Sequence, residues 1–205
     1  MKLNPHKDIT YIRKAKAKHS STGKLDYTKF YNDINYISPG IHLSNYYDIC
    51  LSLIQQGDSW LDAGCGSGNV LKKAIVDKNI NVYGLEIVDK SIKNANDNGV
   101  KCSKGSITET FPFESDTFQL VTSTDVLEHI HIEDVQFAIK ELYRVCKPDG
   151  HCLVAPYPDP DRTGQLHLTC KPTSWWVEQF EKEGFSFIRH TTRFGIVLKK
   201  ERNNE

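Results

Sequence analysis

The sequence predicts an α/β fold with a mainly parallel sheet, and three observations lead to this prediction. Short apolar runs alternate with amphipathic helical stretches from residue 40 to residue 184. A glycine-rich turn at 64–68 joins the first run to the helix after it, which is typical of doubly wound sheets. The last two apolar runs have no helix between them and should therefore pair antiparallel.

The individual elements follow from their periodicity and from the residues at their ends. Apolar residues between 41 and 54 recur at helical spacing, and Gly57 ends that helix. Asp89 and Gly99 are the expected cap and stop of a later helix. An apolar stripe from Val135 to Val145 has acidic residues in its first turn and basic residues at its end. The predicted helices are 41–54, 70–78, 89–98, 133–147 and 172–184, and the predicted strands are 59–63, 81–86, 100–104, 118–123, 152–155, 185–191 and 194–199.

Length and composition indicate the broad class of protein. The 205 residues suit one mid-sized domain, and 39% hydrophobic residues are enough to bury a core. The 26 basic residues are balanced by 26 acidic ones, which argues against a nucleic-acid partner. No apolar run approaches the roughly 20 residues of a membrane helix, and the N-terminus lacks the apolar stretch of a signal peptide. We therefore expect a cytoplasmic protein that does not bind membranes.

The first 36 residues differ from the remainder, so we divide the chain into an N-terminal arm or lid (1–36) and one domain (37–205). The arm has a basic cluster at 13–24 and an aromatic patch at 27–31. It is interpreted as a solvated arm, with an RNA-binding tail and a mobile lid as the alternatives. In a lid, Tyr31 would contact the substrate. The six cysteines form no C-x-x-C pair, so a structural zinc site has no support.

The most informative segment is the turn Gly64-Cys65-Gly66-Ser67-Gly68, which lies between a predicted strand and a predicted helix. Glycines allow a tight turn and a close approach of the backbone to a ligand. Glu86 ends the next strand, 18 residues after Gly68, where an acid can bind both hydroxyls of a ribose. The spacing is G-x-G-x-G rather than the dinucleotide pattern G-x-G-x-x-G, and Asp62 precedes it. A carboxylate would repel a pyrophosphate and attract a sulfonium or ammonium cation, so the charges favour S-adenosylmethionine (SAM).

Four motifs together resemble the class I SAM-dependent methyltransferases, in particular their small-molecule branch called type 11 or type 23. They are LDAGCGSG (61–68), VYGLEIVDKSI (82–92), GSITETFPFESDTFQLVTSTDVLEHI (105–130) and ELYRVCKPDGHCLV (141–154). The resemblance spans roughly residues 40–190. It implies a Rossmann-like, seven-stranded sheet in the order 3-2-1-4-5-7-6, in which strand 7 is antiparallel.

The resemblance also implies where SAM binds. The glycine turn would contact the methionyl part, Glu86 the ribose, and Ser106 and Ile107 the adenine. Ser106 departs from the acid that the family usually has at this position, and its hydroxyl would accept from the adenine amino group instead. Residues next to these in the sequence, together with Ser123 and Thr124, are expected to contact SAM as well. The expected cofactor-binding set comprises Asp62, Gly64, Cys65, Gly66, Gly68, Glu86, Ile87, Ser106, Ile107, Ser123 and Thr124.

The acceptor should bind beyond the carboxyl ends of the strands, at the loops 123–131 and 156–171. Asp125 is a candidate catalytic residue that faces either the acceptor or the amino group of SAM, or else caps the following turn. His129 belongs to the VLEH string, so a structural role is favoured over catalysis, with substrate contact as the alternative. His131 should face solvent.

The loop 156–171 contains three prolines within five residues and His167 near its middle. The string His167-Leu168-Thr169 before an aromatic helix resembles methyltransferases of saccharide and glycan pathways. We therefore interpret His167 as the general base or as a residue that positions the acceptor. A loop histidine bonded to backbone carbonyls is the alternative. Tyr157, Arg162 and Trp175 are candidate substrate contacts, with Arg162 suited to a phosphate or carboxylate and Trp175 to stacking or to solvent exposure.

No metal is expected. Asp159 and Asp161 could join Asp125 around a divalent cation, but alternating acids in a proline-rich loop are more often solvated. The sequence therefore predicts a SAM-dependent methyltransferase of small molecules, with O-methylation of a saccharide or related metabolite as the expected reaction. The alternatives are an RNA or protein methyltransferase that docks through the basic arm, and a non-catalytic SAM-binding protein.

Overall fold

A computed structural model describes Lys29, Gly40, residues 42–160 and residues 166–202 of the chain. A 3₁₀ turn at His42–Tyr46 leads into the first helix, after which strands and helices alternate. The helices are α1 (Tyr47–Ser52), α2 (Asn69–Lys78), α3 (Asp89–Asp97), α4 (Ile132–Val145) and α5 (Thr173–Glu183). The strands are β1 (Ser59–Ala63), β2 (Asn81–Glu86), β3 (Lys101–Lys104), β4 (Phe118–Thr124), β5 (Cys146–Ala155), β6 (Phe185–His190) and β7 (Ile196–Lys200).

The seven strands form one sheet in the order β3-β2-β1-β4-β5-β7-β6, which confirms the predicted topology. Strands β1 to β5 pair in parallel, and β7 runs antiparallel to both β5 and β6. The link between β6 and β7 is too short for a crossover helix, and the amide of Thr191 donates to the carbonyl of Gly195 across it. A connection this short can join only antiparallel neighbours.

Helices cover both faces of the sheet, so the domain has three layers around two apolar cores. One core lies under α4 and α5 and includes Leu142 and Trp176, while the other lies under α1, α2 and α3 and includes Leu71 and Ala95. Because strands buried on both faces read as continuous apolar runs, the sheet could be recognised from the sequence. No helix within the described residues is long and apolar enough to span a membrane.

Several element boundaries differ from the sequence prediction, most of all at β5, which begins at Cys146 rather than at 152 because the predicted helix 133–147 already ends at Val145. The helix predicted at 41–54 is a 3₁₀ turn followed by the shorter helix α1, because Leu43 and Tyr46 reach the core at a spacing of three. Asp89 is the first residue of α3 rather than its cap, a position taken by Val88, and its carboxylate lies 2.6 Å from Lys104 Nζ. Apart from Lys29, the predicted arm at 1–36 lies outside the described residues, so the domain boundary stays a prediction.

Candidate functional site

The carboxyl ends of β1, β2, β4 and β5 lie along one edge of the sheet. Asp62 pairs in register with Gly84 and Thr122, and Thr124 pairs with Ala155. Parallel strands therefore deliver their following loops to the same place, where open α/β sheets bind ligands. The glycine turn follows β1, and the acidic and histidine residues follow β4 and β5.

The glycine turn adopts a backbone that side chains would not tolerate. Gly64 has a φ of +90°, and a Cβ built there would overlap Cγ2 of Val126. Gly68 has a φ of +68°, and its Cβ would lie 2.8 Å from Cγ2 of Val100. Both positions require glycine for conformation and for space. The contact with Val126 also places the turn directly beside the loop after β4.

Glu86 holds the glycine turn in shape. Its Oε2 accepts from the Gly66 amide at 2.9 Å, and its Oε1 accepts from the amides of Ile87 and Val88 at 2.8 and 3.0 Å. Burial raises the pKa of the Glu86 carboxyl, and these three amides oppose that rise. A carboxylate oxygen can accept two hydrogen bonds, so Oε2 retains the capacity to bind a ribose hydroxyl as the sequence predicts.

Asp62 is a buried carboxylate at the base of the turn, with 4% of its surface exposed. Its Oδ1 accepts from the Thr122 hydroxyl at 2.8 Å, and that hydroxyl in turn accepts from the Trp60 indole at 2.9 Å. Burial raises the pKa of Asp62 to about 7. The hydrogen bond from Thr122 lowers this pKa, and the nearby charge of Glu86 raises it. A buried carboxylate with this environment is suited to a cationic ligand.

The other predicted cofactor residues differ in how their side chains are engaged. The Ser106 hydroxyl lies 2.8 Å from that of Thr108 and accepts from the Thr108 amide at 3.2 Å. Ser123 is fully buried, and its hydroxyl donates to the Ala63 carbonyl at 2.9 Å, so it joins β4 to β1. Cys65 is buried, with its Sγ 3.6 Å from Cys102 Sγ. Ile107 and Thr124 are buried, and the amide of Ile87 donates to the Glu86 carboxylate.

Four titratable side chains meet beyond the ends of β4 and β5, and we call them the acidic–histidine cluster. One ligand atom from each of Asp125, Glu128, His129 and His167 lies within 4.8 Å of the others. Asp125 directly follows β4, and Glu128 and His129 lie on the 3₁₀ turn Leu127–His129. His167 comes from the loop after β5, so the fold joins two loops that are distant in sequence.

Glu128 is the centre of this arrangement and is fully buried. Its Oε1 accepts from the Tyr157 amide at 2.9 Å, whereas Oε2 has no hydrogen-bond partner among the described residues. Its backbone carbonyl accepts from the amides of Leu168 and Thr169 at 2.7 and 3.0 Å. Burial raises the pKa of the Glu128 carboxyl well above its usual value, and the neighbouring charge of Asp125 raises it further.

Both histidines of the cluster are oriented by backbone carbonyls. His129 Nδ1 lies 3.0 Å from the Leu166 oxygen, and His167 Nδ1 lies 2.7 Å from the Asp159 oxygen. Because a carbonyl can only accept, each Nδ1 must carry the proton, and in the neutral ring Nε2 then carries the lone pair. The two rings meet edge to face with centroids 4.8 Å apart. Each imidazole therefore presents a basic nitrogen in a fixed direction.

Asp125 has a φ of +59°, in the left-handed region that few residues other than glycine, asparagine and aspartate adopt. Its Oδ2 lies 3.1 Å from His42 Nε2, whose side chain is half exposed. The sequence gives no sign of this role for His42, because the helical spacing of the apolar residues around it predicts only an amphipathic helix. The contact connects the acidic–histidine cluster to the protein surface.

The remaining predicted substrate residues divide into three groups. The Tyr157 ring lies next to the cluster, with its centroid 5.5 Å from His167 and 4.8 Å from Phe194. Trp175 is half buried against the core, where its described contacts are with Trp176 and with Lys171 Nζ. Tyr31 and Arg162 lie outside the described residues, as does Asp161, which was considered only as a metal ligand.

Glu128 was missed by the sequence analysis. The signal that could have found it is the spacing Asp125-x-x-Glu128-His129, which places three polar side chains on one short turn. The grouping of Asp125 with Asp159 is not the one that the structure brings together. Asp159 contributes its backbone oxygen to His167.

The chain is similar to known methyltransferases in sequence and in fold. Residues 61–154 match the family model described as "Methyltransferase domain". A phosphoethanolamine N-methyltransferase 2 from Caenorhabditis elegans is 26% identical over 69% of this chain and 33% of its own length. A ubiquinone/menaquinone biosynthesis C-methyltransferase from Marinomonas sp. is 30% identical over 70% of this chain and 58% of its own length. The chain therefore spans between a third and somewhat over half of these relatives.

A solved structure shares the architecture over nearly the whole chain. It is the putative methyltransferase in a complex with the Haloferax volcanii Trm112 methyltransferase activator, with a TM-score of 0.67. The superposition covers 92% of this chain and 98% of that one, at 17% sequence identity. At this identity the likeness shows the fold alone.

Proposed function

Because the chain belongs to the type 11 branch of the class I SAM-dependent methyltransferases, we propose that it methylates a small-molecule acceptor, by O-methylation of a saccharide or related metabolite. SAM is the cofactor of this domain. The observation that carries the proposal is the acidic–histidine cluster at the ends of β4 and β5. Val126 packs against Gly64, so this cluster and the glycine turn are neighbours.

The residues of the glycine turn fit SAM in both shape and charge. A Cβ at Gly64 would occupy space next to Val126, and the buried Asp62 carboxylate favours a cation. Asp62 would face the positive charge of the cofactor, Gly66 its methionyl part and Glu86 its ribose. When bound, SAM supplies a methyl group on a positively charged sulfur. The domain must then position and activate the acceptor.

A hydroxyl acceptor becomes a better nucleophile when a base removes its proton, and the cluster provides such bases. The Nδ1–H group of His167 donates a hydrogen bond to the Asp159 carbonyl, so Nε2 is the nitrogen that can accept a proton. Asp125 lies beside it and contacts the half-exposed His42, which provides a route for the proton to solvent. The Tyr157 ring next to His167 offers an apolar face for a sugar ring.

Amine acceptors are the second candidate, because two carboxylates within the cluster would also attract an ammonium group. The phosphoethanolamine N-methyltransferase similarity supports this alternative. An amine that enters as the free base needs little help from a general base, so the His167 contribution separates the two reactions. The acidic–histidine cluster suits both O-methylation and N-methylation, and S-adenosylhomocysteine release from different acceptors distinguishes the two.

The proposal is tested by measuring S-adenosylhomocysteine release across sugars, nucleotide-sugars, phenols and amines. We expect turnover with hydroxyl-bearing saccharides, and a rate that falls when His167 is replaced by alanine. Turnover with amines alone, unchanged in His167→Ala, would replace O-methylation with N-methylation. SAM binding without product release from any acceptor class would contradict the proposal and favour a non-catalytic binding protein.

The raised pKa of Asp62 predicts that SAM binds more tightly as the pH rises through 7. A cation stabilises the ionised carboxylate and lowers its pKa, so binding should release a proton. With a pKa of about 7 in the free protein, the ionised fraction grows from about one tenth at pH 6 to about nine tenths at pH 8, an affinity gain of about tenfold. Titration calorimetry in buffers of different ionisation enthalpy measures the released proton.

Asp62→Asn should bind SAM more weakly at pH 8 and lose the pH dependence. Asp97→Asn, which changes an exposed carboxylate on α3, is the matched control and should behave as the original protein. Equal affinity at pH 6 and pH 8 in the unchanged protein would refute the assignment of Asp62.

A further inference from the structure

We propose that Asp125, Glu128, His129 and His167 form a binding site for a first-row divalent cation such as Mn²⁺, Fe²⁺, Co²⁺ or Zn²⁺. The sequence predicts no metal here, and the acids Asp125, Asp159 and Asp161 are not the group that the structure assembles. The site is supported by the spacing of the ligand atoms, the orientation of the imidazoles, an unsatisfied carboxylate oxygen and the chemistry of the donor set.

The spacing of the four ligand atoms already fits a single ion. Protein nitrogen and oxygen ligands bind zinc at roughly 2.0–2.2 Å, so two ligands on opposite sides of one ion are at most about 4.4 Å apart. One ligand atom from each of the four residues lies within 4.8 Å of the others. A contraction of a few tenths of an ångström, or a side-chain rotation of Asp125, would complete the site.

The histidines are held in the way that metal-binding histidines require. A metal ligand uses one ring nitrogen, and the other usually donates to a carbonyl or carboxylate that fixes the tautomer. His129 and His167 each donate from Nδ1 to a backbone oxygen, at 3.0 and 2.7 Å. Both rings therefore carry the lone pair on Nε2. Two independent loop carbonyls, of Leu166 and Asp159, impose the same tautomer on the pair.

Glu128 supplies the observation that separates a binding site from a mere group of polar residues. It is fully buried, and its Oε2 has no hydrogen-bond partner among the described residues. A buried carboxylate oxygen without a partner is costly, and buried charges are normally paired or bound to metals. Asp125 lies next to it, and the two carboxyls form a hydrogen bond only while one of them is protonated. A cation between them satisfies both.

The donor set indicates which ions fit. Two imidazoles with two carboxylates suit Mn²⁺ to Zn²⁺, whereas Mg²⁺ and Ca²⁺ prefer an all-oxygen set. None of the cysteines belongs to the group, so a soft thiolate site is not formed. Four protein ligands leave positions open in an octahedral ion, and an acceptor oxygen is able to occupy one.

The site deepens the proposed function, and this step rests on that function. A divalent ion lowers the pKa of a hydroxyl bound to it and orients the oxygen. His167 would then act as a ligand, the ion would lower the pKa of the acceptor hydroxyl in place of a base, and the proton released would pass to solvent through His42, which contacts Asp125. An acceptor with two adjacent hydroxyls, as in a sugar, would fill two open positions. The class of acceptor inferred is therefore a vicinal diol.

The site can be tested without any acceptor. Co²⁺ is added to the metal-free, full-length protein, and visible absorption and titration calorimetry report its coordination and stoichiometry. We expect one ion per chain, and a loss of affinity of the order of 10- to 100-fold or more in His167→Ala and in Glu128→Gln. Glu128→Gln keeps the shape of the side chain, and His167→Ala changes a partly exposed residue, so at least one variant should fold.

Two variants serve as matched controls. His190→Ala removes an exposed histidine on the edge strand β6, and Asp159→Asn removes a carboxylate while keeping the carbonyl that binds His167. Both should bind Co²⁺ as the original protein does. Absence of stoichiometric binding, or binding that survives in His167→Ala and Glu128→Gln, would overturn the metal site.

Activity measurements separate this inference from the proposed function. SAM affinity should be unaffected by removing the metal, because Asp62 and Glu86 are outside the cluster. Product release that is lost on chelation and restored by Mn²⁺ or Co²⁺ supports the metal in the reaction. Product release that continues in the chelated protein overturns the metal inference and leaves the methyltransferase proposal intact. Co²⁺ binding without product release from any acceptor supports the metal site and contradicts the methyltransferase proposal.

Discussion

Replacement of Gly64 by alanine should weaken SAM binding by at least about 100-fold, which corresponds to about 2.7 kcal/mol. Two causes act together at this position. The φ of +90° is strained for any residue with a side chain, and the new methyl group would overlap Cγ2 of Val126. The turn must therefore move away from the position that Glu86 fixes through the Gly66 amide. Titration calorimetry with SAM measures the loss.

Gly57→Ala is the matched control for this variant. Gly57 has a φ of +86°, and no atom lies within 4 Å of a Cβ built there. Both variants have the backbone strain, of the order of 1–3 kcal/mol in the free energy of unfolding. Only Gly64→Ala adds the overlap beside the ligand site. Gly57→Ala should therefore lose stability in thermal unfolding but retain its affinity for SAM.

The double variant Gly64→Ala with Val126→Ala covers the case in which the single variant fails to fold. Removing the two Val126 methyl groups relieves the overlap and leaves the backbone strain. It should regain part of the folding stability, measured by urea unfolding, and part of the affinity. Full SAM affinity in Gly64→Ala alone would place the cofactor away from this turn.

His167→Ala should lower turnover by about 10²- to 10⁴-fold while SAM affinity stays unchanged. The side chain is held by the Asp159 carbonyl and contacts His129 and Tyr157. Its removal takes away the Nε2 nitrogen, whether this nitrogen accepts the acceptor proton or binds an ion. The glycine turn has no described contact with it, so the cofactor should bind as before. Steady-state kinetics at saturating SAM give the size of the effect.

The variant His131→Ala tests whether the loss of any histidine near the end of β4 lowers turnover. His131 precedes α4 and is not part of the acidic–histidine cluster. We expect its loss to leave turnover nearly unchanged. Equal rates for the original protein and His167→Ala with a hydroxyl acceptor would remove His167 from the reaction.

The central strands β1 and β4 were accessible from the sequence because they are buried on both faces, whereas the strand order was implied by the resemblance to the methyltransferase family. Apolar runs such as 59–63 and 118–123 have few competing interpretations when helices separate them. Boundaries were less accessible, since they depend on tertiary contacts. The turn before α1 is 3₁₀ because Leu43 and Tyr46 both reach the core, a preference that single-residue propensities do not contain.

The functional site was accessible only where its residues are close in sequence. The glycine turn, Asp62 and Glu86 follow a spacing fixed by the strand–turn–helix geometry, whereas Glu128 and His167 are brought together by loop packing. Glu128 was overlooked because an acid in a short polar turn normally faces solvent. In the folded chain the segment after β5 packs over it, with the Tyr157 amide donating to its carboxylate and the amides of Leu168 and Thr169 donating to its carbonyl, and the local sequence does not predict these contacts.

Through those same amides Glu128 holds both ends of the segment 156–171, and this affects how the range of acceptors can change. Its side chain fastens the start of the segment 156–171 through Tyr157, and its carbonyl fastens the end through Leu168 and Thr169. Between these two anchors, the Asp159 carbonyl holds His167 and the Leu166 carbonyl holds His129, so a change of this segment that keeps Asp159 and Leu166 leaves both imidazoles in place. New acceptors can thus be accommodated by rewriting the middle of one segment without rebuilding the reaction centre.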